Sequence, residues 1–299
     1  MGVAWKARFE VDASKCMRCG RCERVCAGMV LHPGEDGVPR MDDFERFGWR
    51  GCWGCEHCMA VCPAGAISIL GKRPEDSLPP APPEAGEYLE RVIANRRSCR
   101  RYLDRNVEPA LIDSMMRAMQ CAPAGGNAQN TEFTVIDDKE RVRQIREVAY
   151  AKMEEAAARD VYTSSFNAFY YGKMKQSEAS VRKGDLLFCG APHLFVAHVK
   201  TAGSKWAEDY AVNCNLATAY FELLANAHGL GTVIMSYSAD VLRELAPEAR
   251  AMLGVPPDHY MKLIMGFGYP EVPYARGVQK GQIKVHRWTE QTGGQLSML

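Results

Sequence analysis

Two cysteine runs restrict what this chain can fold into more than any other feature. The first is Cys16-x2-Cys19-x2-Cys22-x3-Cys26; the second is Cys52-x2-Cys55-x2-Cys58-x3-Cys62, followed by Pro63. Two-residue gaps let a tight loop wrap three thiolates around one point, and the fourth corner of a cubane must then come from elsewhere in the chain. Structural zinc sites are built instead from paired Cys-x2–4-Cys hooks. Disulfide frameworks belong to short secreted domains, whereas this chain has 299 residues and no apolar leader within Met1–Ser14. Of its twelve cysteines, eight stand in these two runs. The spacing points to two [4Fe–4S] clusters.

In two-cluster ferredoxins the last cysteine of each run ligates the other cluster. That precedent assigns Cys16, Cys19, Cys22 and Cys62 to one site, and Cys52, Cys55, Cys58 and Cys26 to the other. Ala27 stands where the first run would often carry proline, which alters the turn but removes no ligand. The connection from Ala27 to Gly51 is expected to be a surface loop turning at Pro33-Gly34 and Asp36-Gly37. Cys99, Cys121, Cys189 and Cys214 have no Cys or His partner at metal spacing and are expected to be small buried residues.

Formal net charge is +1, which argues against a general nucleic-acid or anionic-membrane binder. The apolar stretch Leu186–Val199 is too short to span a bilayer, so a soluble, cytoplasmic protein is expected. Residues 1–76, rich in Cys, Gly and Arg, read as a small two-cluster domain. The run Ser77-Leu78-Pro79-Pro80-Ala81-Pro82-Pro83 opens a proline-dense linker over 77–87. A larger domain occupies 88–299.

In that larger domain the pattern predicts a short helix over Tyr88–Arg96. A second, over Pro109–Gln120, has Leu111, Ile112, Met115, Met116 and Met119 on one face. Strands are predicted at Thr131–Ile136, Leu194–Val199, Thr232–Met235 and Met261–Met265, with Asp138 capping a long polar helix and a further helix opening at Ser238. Trp206–Ala227 is apolar almost all round, predicting a buried central helix closed by Gly229. Helices and strands mix without strict βαβ spacing, so the fold class is α+β. His193 and His198 fall on a strand and are expected in the core.

There is no Gly-x-Gly-x-x-Gly fingerprint and no Walker loop. Three short segments stand out instead. Arg96-Arg97-Ser98-Cys99-Arg100-Arg101-Tyr102 concentrates guanidinium forks suited to phosphate or a planar anion. Ala122–Gln129 is a loop of small residues around Asn127, and Gly229-Leu230-Gly231-Thr232 follows a helix end. Each has a plain structural reading by itself: a solvated basic helix end, a glycine turn, a helix cap. In this order, and with Gly268-Tyr269-Pro270 near the end, they resemble the nitroreductase-like flavoproteins. That family opens with Arg-Arg-Ser-x-Arg-x-(Phe/Tyr), continues with Pro-Ser-x-x-Asn-x-Gln and then Gly-Leu-Gly-Thr. The resemblance runs from Tyr88 to about Trp288, and the whole chain is similar to the subgroup with a bacterial-type two-cluster ferredoxin fused ahead of the flavin domain.

The resemblance implies an FMN-binding α+β homodimer with FMN at the subunit interface. Arg96, Arg97, Ser98 and Arg100 would hold its phosphate, ribityl chain and pyrimidine edge. Ala124, Gly125 and Asn127 would contact FMN from the other subunit, Leu230 and Gly231 would lie against the isoalloxazine, and Arg276 with Lys280 would add late basic ligands. Ala124 replaces the family's serine, and Asn130 and Glu132 replace a proline and an aromatic after the glutamine. No side chain is identified as a general acid or base. The aromatic segment Tyr162–Lys175 reads either as a substrate lid or as core or interface. The expected function is electron relay from a low-potential donor, such as a ferredoxin or an NAD(P)H-linked protein, through both clusters to FMN. The acceptor would be a small organic molecule: a nitroaromatic, a quinone or an activated alkene. The alternatives are an electron-transfer adaptor between NAD(P)H and a partner redox protein, and a flavin or redox sensor without turnover.

Overall fold

The computed structural model describes residues 7–42, 51–177, 185–286, 288 and 296–298. The doubled cysteine run produces a doubled backbone. In the first run Arg18 (φ 52°) and Gly20 (φ 67°) are left-handed and lead into helix α1, Arg21–Arg24. In the second, Gly54 (φ 64°) and Glu56 (φ 61°) do the same ahead of α2, His57–Ala60. Left-handed residues before and after Cys19 and Cys55 bend the backbone sharply around each thiol, as wrapping one centre with two-residue gaps requires. Strands β1 (Glu10–Val11) and β4 (Ile67–Ser68) pair antiparallel and close this unit around Cys22, Cys58, Met59, Ile67 and Ile69. The stretch after Ala27, expected as a loop, is a hairpin: β2 (Leu31–Pro33) pairs with β3 (Pro39–Met41). Val30 and Val38, both fully buried, anchor it, and Gly37 (φ 76°) supplies the predicted turn. Its continuation over 43–50 lies outside the described residues.

Helix α3 (Ala85–Asn95) begins inside the predicted linker, three residues before Tyr88. Then come α4 (Pro109–Met119), β5 (Glu132–Ile136), α5 (Lys139–Ala157), α6 (Ala168–Ser177) and β6 (His193–Lys200). After α7 (Ala207–Ala227) and β7 (Gly231–Met235) come α8 (Ser236–Glu244) and α9 (Pro247–Leu253). The chain finishes with β8 (His259–Tyr260), β9 (Ile264–Gly268), β10 (Lys284–His286) and β11 (Leu296–Met298). The sheet order is β5-β6-β9-β7, every pairing antiparallel, with β8 added to β6. The α+β class therefore holds. The Met261–Met265 strand sits three residues later than its apolar run suggested, and α8 opens at Ser236 rather than Ser238. Asp138 caps α5 by accepting from the Glu140 amide at 3.0 Å.

Both faces of the sheet are covered, which explains why β6 reads as an unbroken apolar run rather than an alternating one. Leu194 and Val196 pack with Val142, Ile145 and Met153 of α5. Phe195, Ala197 and Val199 point the other way, onto Met115 of α4 and Phe221 of α7. Phe195 and Phe221 stack at 4.0 Å between ring centroids, a geometry that adds to their area burial.

Helix α7 corrects one expectation: it is buried on one face only. Cys214, Ala217, Phe221 and Ala225 enter the core, while Val212, Leu216 and Tyr220 form an exposed apolar stripe at i, i+4, i+8. Its end is as predicted. Gly229 (φ 77°) closes a Schellman motif, with Leu230 N–H donating to Ala225 O and Gly229 N–H to Asn226 O, each at 3.0 Å. Cys99 and Cys214 are buried as expected, but Cys121 is exposed and Cys189 half-buried. Both lie at irregular turns, not on core-facing positions of an element.

His193 and His198 are buried in β6. His193 Nε2 accepts the Val107 amide at 2.8 Å, and His198 Nδ1 meets His259 Nδ1 at 2.9 Å. Burial holds both imidazoles below their ordinary value of 6.5, with His259 adding to the effect at His198. The fold therefore favours the neutral rings. Their contribution is complete above the unfolded value and is lost as pH falls through and below it. Melting temperature is expected to drop between about pH 7.5 and about pH 5.5, and the drop to shrink in a His193→Asn/His198→Asn double variant. An identical acid-side slope in that variant would refute the assignment.

Candidate functional site

The two cysteine runs interlock. Cys16, Cys19 and Cys22 surround one small cavity together with Cys62, the last cysteine of the other run. Conversely, Cys26 lies within electrostatic reach of Cys52 and Cys58, beside Cys55. Burial, reinforced by the neighbouring Cys52, Cys55 and Cys26 sulfurs, pushes the Cys58 thiol up to about 12. Four sulfurs converging where thiolates are this costly suit a shared cationic centre. Backbone amides already address the sulfurs: Gly54 N–H donates to Cys52 Sγ at 3.4 Å and Ala66 N–H to Cys62 Sγ at 3.3 Å. Such bonds stabilise negative charge on cluster ligands. The donor set and its geometry fit iron–sulfur clusters.

In the larger domain, the outer edge of β7 carries the arginine run. Ser98 bridges Thr232 in parallel, the Cys99 amide donates to Thr232 O at 2.7 Å, and Tyr102 bridges Pro270. This addition to the sheet edge sets Arg96 and Arg97 beside the Gly229–Gly231 turn. A cavity of about 380 Å³ opens there, lined by residues that include Asn95, Arg96, Arg97, Leu230, Gly231 and Tyr274. That volume lies within the range of small-molecule sites, about 300–1,000 Å³. Gly231 is required by packing: a Cβ there would lie 2.6 Å from Cys99 Cβ. Two guanidinium groups, a flat glycine wall and an aromatic ring fit a planar ligand bearing a phosphate.

The arginines are not free-standing. Arg96 Nη1 donates to Glu222 Oε1 at 3.0 Å, and Glu222 is buried on α7. Asn226 Nδ2 donates to Thr232 Oγ1 at 2.9 Å and completes the support. Arg97 stacks over Tyr274 at 4.1 Å and donates to Arg276 O at 2.9 Å, tying the late basic segment to the cavity. Ser98 is half-buried, whereas Arg100, Arg276 and Lys280 are exposed. Glu222, Asn226 and Tyr274 were missed by sequence reasoning. The Glu222 position reads as one of several polar residues on a largely apolar helix, and only the fold sets it opposite Arg96, 126 residues away.

Ala124, Gly125 and Asn127 are not among the residues lining this cavity. Their loop turns through left-handed Gly126, Asn127 and Gln129 (φ 60°, 51° and 45°). Gly125 N–H donates to Asn213 Oδ1 of α7 at 3.2 Å. Asn127 Nδ2 donates to the carbonyl of Trp53, inside the second cysteine run, at 2.9 Å. Asn213 Nδ2 is buried and finds no hydrogen-bond partner among the described residues. Phe166 of the aromatic segment is buried and stacks near Tyr237 and Tyr170, while Phe169 and Tyr170 are exposed. The segment is thus anchored in the core through Phe166 and partly buried Tyr171, with Phe169 and Tyr170 exposed.

Comparison with known proteins agrees with this division. The nitroreductase family pattern matches residues 93–269 and the 4Fe-4S dicluster domain pattern residues 15–66. A protein of Archaeoglobus fulgidus named as an NADH dehydrogenase/NAD(P)H nitroreductase is 26% identical over 185 residues, 62% of this chain and 87% of its own. Ferredoxin-3 of Rhodobacter capsulatus is 32% identical over 74 residues, 19% of this chain and 73% of its own. Among solved structures, a nitroreductase with bound FMN from Desulfitobacterium hafniense is 20% identical, with a TM-score of 0.50 over 64% of this chain and 94% of that one. One from Bacteroides fragilis, also with bound FMN, is 20% identical, with a TM-score of 0.50 over 67% and 99%. With an antiparallel sheet edged by the arginine run and an interlocked eight-cysteine unit ahead of it, the chain belongs to the nitroreductase family and carries an N-terminal 4Fe–4S dicluster ferredoxin domain.

Proposed function

We propose that the protein is an iron–sulfur flavoprotein oxidoreductase that passes electrons from a low-potential donor through two [4Fe–4S] clusters to FMN. The final acceptor is organic: a nitroaromatic, a quinone or an activated alkene. The observation that carries this reading is the convergence of Cys62 on the first cysteine run and of Cys26 on the second, in a chain whose larger domain has an arginine-lined cavity. FMN, when bound, supplies the exchange of electron pairs with organic acceptors and of single electrons with clusters.

In this reading residues 1–76 form the cluster domain, 77–87 the linker and 88–299 the flavin domain. Arg96, Arg97, Ser98, Arg100, Arg276 and Lys280 neutralise the phosphate and the electron-rich edge of the ring, and Glu222 holds Arg96 in place. Leu230 and Gly231 give the flat wall. Ala124, Gly125 and Asn127 act in a site shared between two subunits. A homodimer accounts for the apolar stripe of Val212, Leu216 and Tyr220, which is unusual on a free surface. No helix among the described residues is long and apolar enough to cross a membrane. With a near-neutral net charge, the natural setting is the cytoplasm, with a ferredoxin-like or NAD(P)H-linked donor.

The test is anaerobic reconstitution followed by stopped-flow reduction. About eight irons and one FMN per chain are expected, with reoxidation by a nitroaromatic or quinone. Reduction by NADH alone, as fast as by a low-potential donor, would reverse the proposed direction. A reduced protein that no small acceptor reoxidises would leave the adaptor reading in its place.

A further inference from the structure

The contact between Asn127 and Trp53 joins a residue of the cluster domain to the loop assigned to the flavin. We propose that the cysteine group Cys26, Cys52, Cys55 and Cys58 is the exit from which electrons reach the flavin, and that Asn127 is the positioning residue that holds this exit in place. Electrons then arrive from the external donor at the other group, Cys16, Cys19, Cys22 and Cys62. The proposal rests on the relay reading above and adds its order.

Three observations support it. First, Asn127 Nδ2 donates at 2.9 Å to the carbonyl of Trp53, the residue directly after Cys52. Second, the next residue, Gly54, presents bare backbone to the loop. A Cβ there would meet Asn127 Nδ2 at 4.0 Å and Leu70 Cδ1 at 3.4 Å, and its φ of +64° favours glycine. Leu70 and Asn127 therefore both close on the run at Gly54. Third, the two groups differ in access. Each group has one buried cysteine, Cys22 or Cys58, but Cys19 is exposed and Met17, next to Cys16, is 66% exposed, whereas Cys26, Cys52 and Cys55 are all only partly open. An external donor needs a group it can approach from solvent, and the flavin loop needs one it can touch. Asn127 tolerates its own left-handed backbone (φ 51°) because a short polar side chain incurs little steric cost there. That turn aims its amide at the cluster domain. Each transfer moves one electron and breaks no bond. Two equivalents of a one-electron donor supply the pair, and the acceptor takes both with protons from water.

The experiment is anaerobic stopped-flow mixing of the cluster- and FMN-loaded protein with reduced methyl viologen, following cluster and flavin bleaching as separate phases. Asn127→Asp replaces the donor with a carboxylate facing the Trp53 carbonyl. It should slow the flavin phase about tenfold, the size expected for losing one such hydrogen bond, with the cluster phase unchanged. Leu70→Ala, which leaves the flavin loop untouched, should slow the same phase less. A readout without flavin uses hydrogen exchange on cluster-loaded, FMN-free protein: Asn127→Asp should raise exchange in residues 52–55 but not in 16–19. If both variants keep the wild-type flavin phase and the wild-type exchange pattern, the assigned exit is wrong while the relay stands. If flavin bleaching never follows cluster bleaching in the unmodified protein, the relay itself fails and this order fails with it.

Discussion

Replacing Cys62 with serine is expected to remove iron from both cysteine groups, not only from the one whose cavity it lines. Cys62 faces Cys16, Cys19 and Cys22, yet it sits one residue beyond the C-cap of α2, the helix that carries Cys58 of the other group. A change at Cys62 therefore releases the segment that presents Cys58. The unit has little else to hold it. Its buried residues include Cys22, Val30, Val38, Cys58, Met59, Ala66, Ile67 and Ile69, a set too small for an independent fold without metal. Where a site forms only on folding, its binding free energy is also folding free energy. Iron per chain should fall from about eight to below about four, with loss of the visible cluster bands. Cys121→Ser, at an exposed cysteine outside both groups, should retain the full count. A Cys62→Ser protein with about four irons and an intact second spectrum would mean that the groups are independent.

The other large effect is expected at Gly231. A methyl group there would lie 2.6 Å from Cys99 Cβ, 2.7 Å from its Sγ and 3.6 Å from Pro270 Cβ. Cys99 has no room to retreat, because its amide is bonded to Thr232 O at 2.7 Å and its thiol to Arg101 O at 3.1 Å. Gly231→Ala should peel the Ser98–Tyr102 segment from the edge of β7. The expected destabilisation is about 1–3 kcal/mol, with loss of the flavin complement, since Arg96 and Arg97 ride on that segment. Cys99→Gly removes the opposing Cβ and Sγ together, so the double variant should recover part of both losses, a coupling that separates a steric cause from two unrelated defects. Thermal melts and flavin counts decide it. A Gly231→Ala protein with normal flavin content would remove the steric argument.

These two positions show what was legible in advance and what was not. The cysteine spacing was readable because each loop wraps its thiols locally, through residues two or three apart. The same locality made the Gly229 helix stop and the Asp138 cap visible, since both depend on neighbours along the chain. Strand β6 was visible as a run, although its partners were not. Its two faces are distinguished only by which helices cover them, α5 on one side and α4 with α7 on the other. The hairpin after Ala27 escaped because its short strands carry Pro33 and Pro39, and its turn Gly34 and Gly37, among few apolar residues. What makes it ordered is the burial of Val30 and Val38. Helix α7 misled for a related reason: a helix apolar almost all round looks buried all round, but the fold covers only one of its faces.

Within the site, residues 96–102 and 229–232 could be recognised separately as basic and glycine-rich. Their meeting along the edge of β7 depended on a parallel bridge between residues 134 apart, Ser98 and Thr232. Glu222 opposite Arg96, and Asn127 against Trp53, belong to the same class of fact. The sequence by itself determined the chemistry available to this protein: eight thiols at cluster spacing, a guanidinium-rich run and a glycine turn, each encoded over a few adjacent residues. Only the tertiary structure decided how these meet and which cysteine run touches the loop that carries Asn127. Those contacts are set by sheet register and side-chain packing across more than 70 residues of chain, and no local pattern carries that information.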